Sequence, residues 1–342
     1  MISVIIPVYN CEQFLPSCLN SILNSNKTDF EIVAIDDGST DQSGSILDSY
    51  SKKDARVRVI HQMNRGNSLT RQTGIEIAKG DMILFADADD ELENAALDRL
   101  SELAEDTADI IGFGFSTDFV AEGYHLVRTY PDCIYPNSFD AAYYYLKNGG
   151  FNLLWNKMYR ADLLRGHNDF PEMRITGQDF IFNCSVFPRA GKVQMISDVL
   201  YHYKKRAQET MVTHYIENGS QNMKRKGNAL SGMLSEYNEN GSSAYDDYML
   251  REYEVYVLNM FAKGCAMTAS EKASAIQQNI LSDPAFSVIQ NGHPISRYSQ
   301  LFKKIALHRN ARQIVAIYGF LVSFRNNFSS IYRQMRKQIY RH

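Results

Sequence analysis

The chain has 342 residues, 44% of them apolar and 22% charged, with a net charge of −3 and five cysteines. No stretch approaches the ~18 uncharged apolar residues of a membrane span: the longest candidate, Ile314 to Phe324, is ended by Arg325. The first apolar run begins at once, without a basic leader or cleavage site, and Cys11, Cys18, Cys133, Cys184 and Cys265 form no close pair. No secretory leader is expected from this pattern, and the scattered cysteines read as reduced thiols in a cytoplasmic protein rather than as a disulfide or zinc framework.

In chain order, strands are expected near 2–8, 31–36, 57–61, 81–86 and 108–113, with helices over 12–25, 41–53, 67–79 and 93–105. Leu15, Leu19, Ile22 and Leu23 recur at helical spacing, whereas Ile2–Ile6, Ile32–Ile35 and Met82–Ala86 are continuous apolar runs. Such runs are strands buried on both faces, the habit of parallel sheets. The alternation predicts an α/β, doubly wound, mostly parallel sheet flanked by helices. With the strand order 3-2-1-4, the ends of the first and fourth strands form a crevice at the topological switch point. Three polar turns end those runs: Pro7-Val8-Tyr9-Asn10, Asp36-Asp37-Gly38-Ser39 and Asp87-Ala88-Asp89-Asp90-Glu91. The crevice therefore collects Tyr9 and Asn10, Asp37, and Asp87 with Asp89. No basic residue lies in these turns, and converging carboxylates without cationic partners call for a divalent cation. Hard oxygen ligands suit Mg2+ or Mn2+ beside substrate phosphates.

From 115 to 205 the pattern is mixed, with helices near 138–148 and 179–187 and strand-like runs at 192–197 and 199–204. After 212 it is mainly helical, with a linker signal at 238–243. The domain reading is 1–211, in halves 1–115 and 116–211, followed by a helical region 212–342. All 39 acidic residues lie at or before Asp283, while ten of the 36 basic ones lie beyond it. The amphipathic basic tail, 297–342, fits an anionic membrane surface. Docking on an acidic domain or another subunit is the alternative. No nucleic-acid module accompanies the charge.

The blocks Ser3–Asn10, Phe30–Asp41, Thr70–Ile75 and Ala86–Asp90 resemble, in order and spacing, the opening of glycosyltransferase family 2, of the GT-A fold and the bacterial surface-polysaccharide type. The match is close over 1–110 and looser to 210. The resemblance implies an inverting, metal-dependent transfer of one sugar from a nucleotide diphosphate sugar, UDP-linked, to a saccharide or lipid-linked saccharide. It implies that Pro7 and Tyr9 line the base pocket, Asp37 accepts from the uracil imide, Asp87 meets the ribose and Asp89 holds Mn2+ or Mg2+. Arg71 pairs with an aspartate or a phosphate, or is structural. Asp179, in Gly177-Gln178-Asp179-Phe180, matches the family's base, with Gln178 replacing one of two acids. Trp155 reads equally as a sugar-facing wall or a core anchor. His202 is a metal-reaching candidate, although a satisfied strand histidine suits it better. Two rivals are a non-catalytic carbohydrate- or membrane-binding scaffold and a sugar-nucleotide pyrophosphorylase. Location is expected to be cytoplasmic, peripheral on the membrane's inner face.

Overall fold

The computed structural model describes residues 1–104, 108–121, 123–171, 176–206, 214–239, 243–294 and 296–327. The chain divides into two compact units, 1–207 with 235–238, and 208–234 with 239–342. The 211/212 boundary and the tail beyond 327 lie outside the described residues.

In the first unit, β1 (Ile2–Val8), β2 (Phe30–Asp36) and β4 (Met82–Phe85) are buried along their whole length, and β3 (Val57–His61) forms the edge. They pair in parallel in the order β3-β2-β1-β4. Helices α1 (Leu15–Leu23), α2 (Ser43–Lys53) and α3 (Asn67–Ile77) are the crossovers. Gly74 lets α3 lie against the sheet: a Cβ there would stand 2.4 Å from Ile5 Cγ2. The expected order and switch point are thus present.

Beyond β4 the sheet becomes mixed. After β5 (Glu91–Leu92) and α4 (Ala96–Ala104) come β6 (Ile110–Phe119), β7 (Tyr124–Arg128), β8 (Cys133–Tyr135) and α5 (Ser138–Asn148). Then follow β9 (Lys157–Arg160), α6 (Gln178–Val186) and β10 (Val193–Lys205). β9 inserts antiparallel between β4 and β6. The two runs expected at 192–197 and 199–204 are one strand, β10, parallel to β6 and irregular between Met195 and Tyr201. The core under the switch point is aromatic: Phe85 meets Tyr159, Phe170 and Phe182 edge-on, at 5.8 to 6.2 Å between centroids.

The second unit is helical: α7 (Gly219–Glu236, up to Leu234), α8 (Ser243–Asn259), α9 (Ala269–Asn279), α10 (Ala285–Asn291), α11 (Arg297–Ala306) and α12 (Ala311–Asn327). Thr268 with Glu271, and Ser296 with Ser299, form capping boxes at the starts of α9 and α11. Ile314, Val315, Tyr318 and Val322 bury one face of α12, while Phe320 (69% exposed) and Phe324 lie on the other. Among the described residues no helix is long and apolar enough to cross a membrane.

Candidate active site at the switch point

At the end of β1, Pro7 is buried in register with Ile35, and Tyr9 is 49% exposed. Asn10 has a left-handed φ of 52°. Its backbone N–H donates to Ser39 Oγ (3.1 Å), and its Oδ1 accepts from Thr40 N (2.8 Å), which ties the first turn to the second. Gly38 (φ 74°) makes the sharp bend at which a Cβ would meet the Asn64 backbone nitrogen at 2.9 Å.

Asp36 and Asp37 have different duties. Asp36 accepts from Ser39 N (2.9 Å) and lies 2.9 Å from His61 Nδ1, so it holds its own turn. Burial works against its ionisation, but the Ser39 and His61 contacts prevail and its pKa is lowered. Asp37, 3% exposed, accepts from Gln62 Nε2, Arg65 N and Gly66 N, each at 2.8 Å. It thereby fixes the loop that starts α3. A carboxylate has about four acceptor positions, so one remains.

The cations missing from the turns arrive from elsewhere, which corrects the expectation of unpartnered carboxylates. Arg71 of α3, 3% exposed, reaches Asp87 Oδ1 at 2.7 Å and Asp179 Oδ1 at 2.8 Å. Burial disfavours the guanidinium, but the two carboxylates overcome it and its pKa is raised. Its Nε is buried without a partner. One guanidinium thus joins the end of β4 to the start of α6, and its own residue is 108 positions from Asp179 in sequence. Burial raises the Asp179 pKa, with Arg71 opposing and Asp87 reinforcing it.

Arg206, past the end of β10, lies over the Phe14 ring (3.9 Å) with Nη1 3.9 Å from Asp89 Oδ2. Sequence reasoning missed it, although the basic run Lys204-Lys205-Arg206 at a strand end was a signal. Asp89 keeps 48% of its side chain exposed. Burial and Asp87 raise its pKa, against Arg206. Behind it, Asp90 accepts from Tyr201 OH (3.0 Å) and Lys204 N (2.7 Å). Burial, Asp87 and Asp89 push its pKa up to about 8.

Two candidates are engaged by other side chains of the protein. Trp155 is 5% exposed, stacked on Tyr201 (4.5 Å) and Tyr203 (5.8 Å), with Phe115 edge-on. That is a core anchor, which corrects the sugar-wall reading. His202 has Nδ1 2.9 Å from Ser116 Oγ and Nε2 3.0 Å from Glu93 Oε2. Both ring nitrogens are engaged, so the satisfied-strand reading describes it, and as placed it has none to offer a metal.

The chain matches the family described as glycosyl transferase family 2 over residues 3–166. It is 30% identical to glycosyltransferase GlyG of Streptococcus pneumoniae, over 63% of this chain and 74% of that one. This chain belongs to glycosyl transferase family 2. It is also 36% identical over 213 residues to EpsJ of Bacillus subtilis, an uncharacterized glycosyltransferase, and spans about three fifths of the length of that relative (61%). Among solved structures, residues 1–349 of TarS from S. aureus, crystallised with UDP, superpose with a TM-score of 0.63 at 20% identity. The superposition covers 95% of this chain and 91% of that one. The first unit of this family 2 member accordingly has the GT-A fold.

Proposed function

We propose that the chain transfers one sugar from a nucleotide diphosphate sugar, UDP-linked, to a saccharide or lipid-linked saccharide acceptor during polysaccharide synthesis, with inversion. The single observation that carries this reading is the Arg71 bridge, which sets a carboxylate of the donor half beside one of the acceptor half. In this reading Tyr9 stacks on the base and buried Pro7 stiffens the strand end beneath it. Asp37 gives its remaining acceptor position to the uracil imide, and Asp87 meets the ribose. Relatives named as glycosyltransferases and the UDP-bound structural neighbour support the donor class.

Asp179 serves as general base. The acceptor hydroxyl gives its proton to the carboxylate as the oxygen attacks the anomeric carbon, and the diphosphate leaves from the opposite face. Burial favours this role, because a base works best with a pKa drawn towards the operating pH, and that of Asp179 is raised.

The residues present fit a divalent cation, Mn2+ or Mg2+, held by one carboxylate and the diphosphate. Among the described residues no group of three or more His, Cys, Asp or Glu side chains is placed to hold a metal. Asp89 is half exposed, with negative charge that Arg206 at 3.9 Å only partly offsets. Such sparse protein ligation is the habit of Mg2+ at phosphates. A cation held there would supply neutralisation of charge on the departing diphosphate, and Arg206 would add a fixed positive charge beside Asp89.

The basic tail is proposed to lie on an anionic membrane surface at the cytoplasmic side, where a lipid-linked acceptor would be presented. The support is the all-basic sequence after Asp283 and the outward Phe320 and Phe324. A thermal-shift screen of UDP, GDP and dTDP sugars with and without Mn2+ tests the proposal. Stabilisation by UDP sugars that needs metal supports it, and equal responses to every donor contradict the uracil contact.

A further inference from the structure

Lys157, at the start of β9, is the one lysine among the described residues that is buried, and it is fully so. Its Nζ donates to the carbonyl oxygens of Gly150 and Leu153, both at 2.7 Å, and to Asn156 Oδ1 at 2.8 Å. It also stands 4.5 Å from the centre of the Tyr145 ring. All three oxygens accept and none donates. A neutral amine offers two N–H groups and an ammonium offers three. Burial pushes the lysine pKa well below its ordinary value, yet this geometry requires the charged form.

The turn that Lys157 holds is also bonded to α6, through Asn183. Leu153 O also accepts from Asn183 Nδ2 (3.2 Å), which donates in addition to Phe151 O (2.6 Å). Tyr159 OH donates to Asn183 Oδ1 (2.8 Å), and the Phe151 ring meets Phe180 edge-on at 5.4 Å. Asn183 follows Asp179 by four residues on α6 and so shares its helix face. The turn 150–156 and the first turns of α6 are therefore held to one another through a network to which Lys157 contributes a cation.

The geometry points to Lys157 as a positioning residue for Asp179: its ammonium locks the turn to α6, which fixes the carboxylate, and it adds a second positive charge to that of Arg71. This rests on the reading of Asp179 as base, but the measurement that tests it does not. The charged and titratable groups that act on Asp179 are Arg71 from α3, Asp87 beyond β4, and Lys157 and Tyr159 from β9.

The experiment is nuclear magnetic resonance of the full chain labelled with 15N at lysine Nζ. The expected result is one ammonium signal protected from solvent exchange, with an inflection in its shift as Asp179 titrates. That inflection disappears in Asp179→Asn. Absence of a protected ammonium signal, or an inflection unchanged by Asp179→Asn, overturns the proposal. In Lys157→Met the Asp179 midpoint, followed by 13C at the carboxyl carbon, rises, the direction expected on losing an opposite charge. Lys157→Arg restores it, and an unmoved midpoint in a folded Lys157→Met protein contradicts the coupling. Should Lys157→Met not fold, the comparison of wild type with Asp179→Asn decides alone. Undiminished transfer by Asp179→Asn would overturn the base reading and leave the coupling standing. A missing coupling alongside lost transfer would overturn only the coupling.

Discussion

Arg71 sets the charge balance between the two carboxylates, so its removal has a signed consequence. A base must be ionised, and the rate falls as pH drops through its pKa. In Arg71→Met, Asp179 loses the cation that opposes its burial, so its pKa rises further. The acid limb of kcat/KM is expected to move to higher pH, and an unmoved limb would contradict the bridge. The same variant leaves two carboxylates unpaired. Breaking a buried ion pair costs about 3–5 kcal/mol, and the low end is expected because each aspartate keeps about a quarter of its side chain exposed, 28% and 26%. Denaturant unfolding would measure it. At Trp155 the expectation is purely structural. Trp155→Ala should lose about 3–5 kcal/mol of stability, the range for large aromatic truncations. Its UDP affinity should stay within twofold by calorimetry, and a large loss of affinity in a folded variant would restore a ligand contact.

At the scale of elements, β1 to β4 and α1 to α3 were legible because burial on both faces leaves continuous apolar runs and each crossover helix keeps its own periodicity. β9 was not legible. It has four residues, and it starts with a lysine whose burial depends on carbonyl oxygens in the preceding turn, which no periodicity encodes. Asp36 and Asp37 look equivalent in sequence, and only the fold turns one towards His61 and the other towards Arg65 and Gly66. The aspartates at the strand ends could be named from sequence, but their cations were not foreseen, because Arg71 and Arg206 approach from α3 and the end of β10. Asp37 should therefore act through its loop as well as through any nucleotide. In Asp37→Ala, amide exchange at Arg65 and Gly66 is expected to quicken at least tenfold, with a stability loss of about 1–3 kcal/mol for the unsatisfied donors. Unchanged exchange would show that the clamp does not hold the loop.

Across the whole molecule, charge is divided along the chain, with −13 up to and including Asp283 and a tail of +10 after it. Binding to vesicles containing anionic lipid should depend on residues 297–342 and weaken steeply between low and physiological salt, because exposed charges are screened within about 10 Å. Phe320→Ser with Phe324→Ser should reduce what binding persists at high salt. Equal binding to neutral vesicles, or none to either kind, would remove the membrane surface from the account. Composition and charge showed that tail, but neither periodicity nor charge could show what it meets.

The most direct measurement compares Asp179→Asn and Asp87→Asn for UDP affinity and for release of UDP from a UDP sugar in the presence of acceptor. With Asp179 as base and Asp87 on the donor, Asp179→Asn should bind UDP within twofold of wild type and lose about 10²–10⁴ in turnover. Asp87→Asn should lose UDP affinity. Turnover in Asp179→Asn equal to wild type would contradict the assignment of the two carboxylates that Arg71 joins.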